Sequence, residues 1–255
     1  MEPLRKPFQG IWNIIRFNWH FYLLSLVFVL LIQLLNGLPI VFPYILFNNI
    51  VCWLVIGTVV VSLFISFYVY DLSNLYKLDW LNELSIIPNS TVVNINAGFD
   101  ETSILLHKKF PDANMLVYDF YDPLTHTEVS IKRARKAYPP YPNTLKVNTS
   151  DLPLQNNNAD NVFVILSAHE IRNDEERKVF FNEIKRILKP TGKIAVIEHL
   201  RDTPNFLAYN IGFFHFIARS SWYSTFANAG LSIYKEIKIT PFITTFILEK
   251  NGSKS

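Results

Sequence analysis

Cysteine is almost missing from this 255-residue chain: Cys52 is the only one, and it lies in an apolar run. Its isolation excludes a disulfide framework, a zinc spacing and a thiol nucleophile with a partner. An excess of basic charge is missing too. The formal net charge is +3, and Arg5, Lys6 and Arg16 stand before Asp71 against Glu2 alone. Beyond Asp71 acids and bases nearly balance, which argues against a nucleic-acid binder, since that function needs a basic face. Internal repeats and low-complexity segments are absent as well.

The most informative gap is one of charge. Between Arg16 and Asp71 there is no Asp, Glu, Lys or Arg, and His20 is the only titratable side chain apart from tyrosines and Cys52. Such a run holds two membrane spans, each needing about 20 residues to cross about 30 Å of hydrocarbon. Asn36-Gly37-Leu38-Pro39 and Pro43 break it in the middle, so helices are expected from about Asn18 to Leu35 and from about Tyr44 to Tyr70. Trp12, Trp19, Tyr22, Tyr68 and Tyr70 fall near the ends, where aromatic belts form. A signal peptide is disfavoured because a second apolar span follows with no small-residue cleavage site between. A soluble hairpin would need a polar face that these helices lack. The basic residues ahead of the first span place the N-terminus, and after two spans the rest of the chain, in the cytoplasm, at the plasma membrane if the source is bacterial. Asp71 to Leu84 reads as a linker helix, with Tyr76 and Trp80 near the lipid interface.

From Ser90 the pattern alternates between strand and helix. Thr91 to Ile95 is β-branched and apolar, as a buried parallel strand is. Asn96-Ala97-Gly98 is a turn of small residues, and Asp100 to Ser103 are helix-starting types. A helix runs on to Pro111, Met115 to Tyr118 form a second strand, and Asp119 stands at its end. A glycine turn after one strand and an acid after the next, about twenty residues on, is an arrangement that holds a nucleoside, the acid accepting from both ribose hydroxyls. An ordinary βαβ unit with an acid in a loop reads the same way, for one glycine is far weaker than G-x-G-x-x-G. Thr125 is expected to cap a helix ending near Tyr138. Its Lys132, Arg133, Arg135 and Lys136 form either a solvated face or a contact with lipid phosphates. Leu145 to Asn148, Asp160 to Ser167 and Lys193 to His199 are further strands, and Asp174 to Leu188 is an amphipathic helix. Asn205 to Ala229 is an aromatic-rich helix broken near Gly212 and Ser220. Leu231 to Ile239 and Phe242 to Glu249 form a closing antiparallel pair.

Three later segments carry a resemblance. Ser150-Asp151-Leu152-Pro153-Leu154, Asn158-Ala159-Asp160-Asn161-Val162 and Arg186-Ile187-Leu188-Lys189-Pro190-Thr191-Gly192-Lys193-Ile194 resemble a motif series of class I S-adenosylmethionine-dependent methyltransferases, nearest the ubiquinone and menaquinone branch. The resemblance covers roughly Thr91 to Lys250. It implies an α/β, Rossmann-like seven-stranded methyltransferase sheet in the order 3-2-1-4-5-7-6, last strand antiparallel, here preceded by a transmembrane helical hairpin. The expected organisation is anchor 1–70, linker helix 71–89, methyltransferase domain 90–250 and disordered tail 251–255. S-adenosyl-L-methionine is the implied cofactor. Asn96, Ala97, Gly98 and Phe99 would face its methionine part, Asp119 its ribose and Phe120 its adenine. Asn148 and Thr149 would lie at the adenine amino group, and Ser167 would flank the methyl donor. Asn94 replaces the acid that usually ends the first strand. Asn96 and Asp100 replace two glycines of the usual turn, residues that tolerate left-handed backbone best among non-glycines. Asp100 could also pair with the cofactor's ammonium group.

Methyl transfer from a sulfonium needs in-line positioning, and a base only when the acceptor is protonated. His169-Glu170 and Glu198-His199 follow apolar strands, where α/β sites form. His169, Glu170 and His199 are therefore the candidate catalytic residues. A mutually satisfied charge network is the other reading of these pairs. Both residue types ligate metals, but no H-x-x-x-H spacing accompanies them and no metal is expected. His215 is expected to pack among aromatics. The stretch Asn205 to Trp222 is either a core helix pair or a lid admitting a lipophilic acceptor from the bilayer. The expected partners are thus the lipid bilayer and a lipophilic small molecule, a quinone-like or polyketide-like phenol or a lipid headgroup. A catalytically silent cofactor-binding or scaffold protein with a degenerate methyltransferase fold is the alternative. A dinucleotide oxidoreductase is disfavoured by the Arg186–Ile194 segment and the reversed last strand.

Overall fold

From Thr91 onward the apolar, β-branched runs end up in one sheet. The computed structural model describes residues 5–84 and 86–252. Strands β1 (Thr91–Asn96), β2 (Asn114–Asp119), β3 (Leu145–Lys146), β4 (Ala159–Ile165), β5 (Leu188–His199), β6 (Leu231–Thr240) and β7 (Ile243–Lys250) lie in the order 3-2-1-4-5-7-6. Pairing is parallel from β3 to β5, and β7 runs antiparallel to both its neighbours. This is the order and the reversed strand that the resemblance implied.

Both faces of the sheet are covered, which is why its inner strands are apolar throughout. Successive residues of β4 serve opposite faces. Val162 and Val164 pack under α5 (Asp174–Ile187) and α7 (Arg219–Asn228), through Phe180, Phe181, Trp222 and Phe226. Phe163 and Ile165 pack under Leu75, Leu78, Trp80 and Leu81. That second cover revises the expected linker. Residues 71–84 form no single helix but a π turn at Tyr68–Leu72 and a 3-10 turn at Asp79–Glu83. The leucines at 75, 78 and 81 fold onto the sheet because it offers them a larger apolar surface than a lone helix would. Trp80 is buried there, its Nε1 donating to the Leu75 carbonyl at 3.1 Å.

The apolar N-terminal run forms α1 (Gln9–Leu35), a 3-10 turn at Pro39–Tyr44 and α2 (Ile45–Phe67). Asn18, the expected start, is instead a kink with φ −114° and ψ 18° inside a helix that begins at Gln9. The two helices are antiparallel, paired by Gln33 to Asn49 at 3.1 Å and Asn48 to Asn36 at 2.7 Å. Both lie in segments long and apolar enough to cross a membrane, and about half of their side chains are exposed. The first turn of α1 has no local side-chain cap. Asp71, far along the chain, takes that part: its carboxylate accepts the amides of Gly10 and Ile11, both at 2.8 Å, where orphan N–H groups and the helix dipole favour an anion. Gly10 makes this approach possible, since a Cβ there would lie 2.4 Å from the Tyr70 Cβ.

Three shorter helices complete the chain: α3 (Ser103–Lys109), α4 (Val129–Ala137) and α6 (Thr203–Tyr209). α4 begins at Val129 rather than near Thr125, whose amide instead closes a turn on Asp122. The aromatic-rich segment divides into α6, a 3-10 turn at Asn210–His215 and α7. Of the expected disordered tail, residues 253–255 lie outside the described residues.

Candidate functional site

Parallel pairing of β1 with β2 brings Asn96 level with Asp119, so the glycine turn and the acid meet at the carboxyl ends of adjacent strands. Gly98 has a φ of 81°, in the left-handed region where a side chain is strained. Asn96 Oδ1 accepts its amide at 2.7 Å. Asp100 starts α3: its Oδ1 accepts the amides of Thr102 and Ser103, both at 2.9 Å. That use leaves only Oδ2, 3.5 Å from Asn96 Nδ2, to face a cationic ligand. Asn94 lies beneath, its Nδ2 donating to Ser103 Oγ at 2.8 Å and Thr102 Oγ1 at 3.1 Å. Its Oδ1 is buried with no partner among the described residues.

Arg135, which sequence reasoning grouped with a surface patch, reaches into this turn from α4. Its Nη1 donates to Asp119 Oδ2 at 2.7 Å and to the Ala97 carbonyl at 3.4 Å. A Cβ on Gly98 would fall 1.2 Å from the same nitrogen. The guanidinium also lies over the Tyr121 ring, 4.3 Å from its centre. Asp119 Oδ1 accepts the Tyr121 amide at 2.9 Å. The acid and the glycine cradle therefore face one another across a single cationic side chain. The group they would hold is a nucleoside bearing a cationic amino acid, and the donor set fits it. There is a carboxylate for the ribose, a turn without a Cβ for close approach, and an unpartnered buried oxygen on Asn94. Arg135 is long and partly exposed, and it can leave.

A second cluster stands at the ends of β4 and β5. One histidine of the two His/Glu pairs reaches across to the other pair: His169 Nδ1 donates to Glu198 Oε2 at 2.6 Å, and Glu198 Oε1 accepts the His169 amide at 3.2 Å. Glu170 Oε1 lies 3.5 Å from His169 Nε2. Burial works against charge on His169, but Glu198 and Glu170 outweigh it and hold its pKa up to about 10. At neutral pH this ring is a cation between two carboxylates. His215 joins the cluster from the turn after α6, its ring 4.9 Å from that of His169. Burial, together with the charges of His169 and Arg172, keeps His215 neutral. It touches Phe216, as expected, but its carboxylate neighbours Glu128 and Glu170 were not expected.

The other candidates are placed differently. Ser167 is buried, and its hydroxyl donates to the Ile95 carbonyl at 3.1 Å, joining the end of β4 to β1 beside the glycine turn. Phe120 is enclosed, packed against Phe180 and His126 with ring centres 5.2 and 5.3 Å away. Asn148 is exposed, and Thr149 donates to Glu176 on α5 at 2.9 Å. His199 stands apart from His169. Asn205 spends its amide nitrogen on Asp202 and the Phe242 carbonyl, so its Oδ1 accepts from His199 Nδ1 at 3.1 Å. His199 Nε2 then accepts the Tyr70 hydroxyl at 2.7 Å. Burial pushes this ring's pKa down to about 4. Both nitrogens are engaged, and the residue joins the sheet to the end of α2.

The start of α1 closes one side of the glycine turn. Gln9 and Asn13 donate to Glu101 Oε1 at 2.8 and 3.2 Å, Arg5 pairs with it at 2.8 Å, and Tyr76 donates to Oε2 at 3.0 Å. Phe17 meets Phe99 edge-on at 5.5 Å. In the sequence Gln9 and Asn13 carry no signal and Arg5 reads only as a topology marker, while Tyr76, expected near the lipid interface, donates to Glu101 instead.

Comparison with known proteins bears on the fold that carries these residues. The family described as a methyltransferase domain matches residues 111–196, a span that begins beyond the glycine turn. No curated protein sequence matches the chain. A SAM-dependent methyltransferase from Aquifex aeolicus superposes with a TM-score of 0.52 at 19% identity, covering 70% of this chain and 93% of its own. The PH0226 protein from Pyrococcus horikoshii OT3 gives 0.52 at 14% identity, covering 70% and 89%. Geranyl diphosphate C-methyltransferase from Streptomyces coelicolor A3(2), solved with Mg2+, geranyl diphosphate and S-adenosyl-L-homocysteine, gives 0.50 at 12% identity, covering 68% and 78%. The fold is that of the class I methyltransferases.

Proposed function

We propose that this chain is a membrane-anchored S-adenosylmethionine-dependent methyltransferase with a lipophilic acceptor. The observation that carries the cofactor reading is the Gly98 turn set against Asp119, at the carboxyl ends of β1 and β2. In this reading Asp119 accepts the ribose hydroxyls, the 96–99 turn lets the methionine part approach, and Ser167 borders the reacting end. The cofactor supplies an activated methyl group. The chain supplies position, exclusion of water and charge: His169, a cation held by Glu198, stabilises an acceptor oxygen as an anion, and Glu170 beside it takes that oxygen's proton. His199 takes no part in this scheme, since both its nitrogens are occupied.

The acceptor class follows from the surface beside the cluster. Phe206, Leu207, Ile211 and Phe214 are exposed on α6 and the turn after it, in a segment that also contacts α2. An apolar surface continuous with two apolar helices suits an acceptor that arrives from lipid.

Calorimetry of S-adenosylmethionine on the full chain in detergent tests the reading. Wild type is expected to bind, and Asp119→Ala to bind ~1–3 kcal/mol more weakly, the cost of leaving hydroxyls without a charged acceptor. Equal affinity of the two removes Asp119 from the site. A catalytically silent scaffold is favoured by one observation, the Arg135 guanidinium lodged against Asp119. Its signature is wild type that binds no cofactor while Arg135→Ala does.

A further inference from the structure

We propose that His169, Glu170 and His215 bind one divalent transition-metal ion of the zinc or cobalt class. One donor atom from each lies within 4.8 Å of the other two. Glu170 Oε1 is 3.5 Å from His169 Nε2 and 3.9 Å from His215 Nε2. Ligands bonded at about 2.0–2.1 Å to a tetrahedral ion stand about 3.4 Å apart. One edge of the polyhedron is already formed, and the other two close with small side-chain rotations.

What lies behind the rings supports the assignment. His169 Nδ1 donates to Glu198, which is fully buried, so Nε2 is the nitrogen left to face the cluster. Carboxylates behind ligating histidines fix the ring and raise its basicity in this way. His215 has no such carboxylate bond: Glu128 Oε2 is 3.6 Å from its Nδ1, and the Arg172 guanidinium takes that nitrogen, so Nε2 is the one left toward Glu170. Glu128, Glu170 and Glu198 bring three negative charges to the cluster. Arg172 opposes them, lying against the His215 ring with one nitrogen 3.2 Å from Nε2. Arg172 is exposed, so it can turn into solvent when an ion binds. Two imidazoles and one carboxylate suit zinc, cobalt or nickel better than magnesium or calcium, which take oxygen ligands. Three protein ligands leave a coordination position open. An ion there would replace the His169 Nε2 proton and so take the place of the imidazolium in the methyl-transfer scheme. Its open position would receive the phenolic or enolic oxygen of an acceptor as the anion, the proton passing to water because Glu170 is then a ligand. This last role rests on the methyl-transfer reading, whereas ion binding itself does not.

The experiment uses the full chain in detergent, free of any affinity tag and stripped with a chelator, with no S-adenosylmethionine present. Zinc is titrated by calorimetry and cobalt by its visible absorption. A single ion per chain is expected, with affinity at least about tenfold weaker in Glu170→Gln and His215→Gln and unchanged in His107→Gln, an exposed histidine on α3. X-ray absorption of the wild-type cobalt form, which needs no variant to fold, is expected to show two imidazole ligands. Equal zinc affinity in wild type and in folded Glu170→Gln and His215→Gln, or a cobalt spectrum without imidazole, overturns the proposal. Failure of the methyltransferase reading would show separately, as loss of cofactor binding with zinc binding intact.

Discussion

Asp119 and Arg135 form an ion pair at the one place where a ribose would compete for the same carboxylate oxygen. A partly solvated pair of this kind is worth on the order of 1 kcal/mol. Arg135→Ala should therefore tighten S-adenosylmethionine binding by about three- to tenfold, aided by removal of a cation from a site meant for a sulfonium. Unchanged or weaker binding by calorimetry would mean that Arg135 is no competitor. The charged histidine gives a second residue-scale expectation. His169→Ala should lower turnover by ~10²–10⁴-fold while cofactor affinity stays within about twofold, because the ring acts on the acceptor. Turnover and affinity measured on the same variant separate this from a structural role, which would lower both. The acid after β2 was legible from spacing alone, while its partner was not. Arg135 sits in a run of four basic residues, and nothing local distinguishes the one that turns inward.

The end of β5 and the end of α2 are joined by His199, and this junction has a pH dependence of definite sign. An unfolded histidine takes its proton near 6.5, whereas burial holds His199 to about 4. Between those values the unfolded chain binds the extra proton, so stability is present above pH 6.5 and is lost as pH falls toward 4. The full effect is up to ~3 kcal/mol at the acid end of the window. Melting temperature should fall through this window in wild type and fall less steeply in His199→Gln. His215 is depressed too and keeps part of the slope in both. Parallel melting curves would remove His199 as the source. The chain that follows this junction departs from its sequence pattern for a physical reason. Leu75, Leu78 and Leu81 have helical spacing, but the bare face of the sheet outcompetes a helix for them.

Across the whole molecule, the two apolar helices are fastened to the domain through Asp71, Glu101, Phe99 and His199 rather than hung from a flexible tether. The chain should sediment with membranes and resist extraction by high salt and alkali, while detergent releases it. Recovery in the supernatant without detergent would rule out a spanning hairpin. Because α1 borders the glycine turn, detergents that disturb the hairpin should also lower cofactor affinity.

The sequence by itself determined the strands, their order by resemblance, the charge-free hairpin and the acid opposite the glycine turn. These are written in short-range patterns: β-branched runs, a gap in charge, one turn and one spacing. Tertiary structure alone decided which histidine faces which carboxylate. His169 takes Glu198 from the end of β5 and His199 takes Tyr70 from the π turn after α2, although each has a glutamate beside it in sequence. Glu198 and His199 are adjacent on β5 and so point to opposite faces of the sheet, whereas His169 and Glu170 lie in the 3-10 turn after β4 and still meet at 3.5 Å. Arg135 on Asp119 and α1 against Phe99 arise in the same way, from elements that meet only once the sheet is assembled.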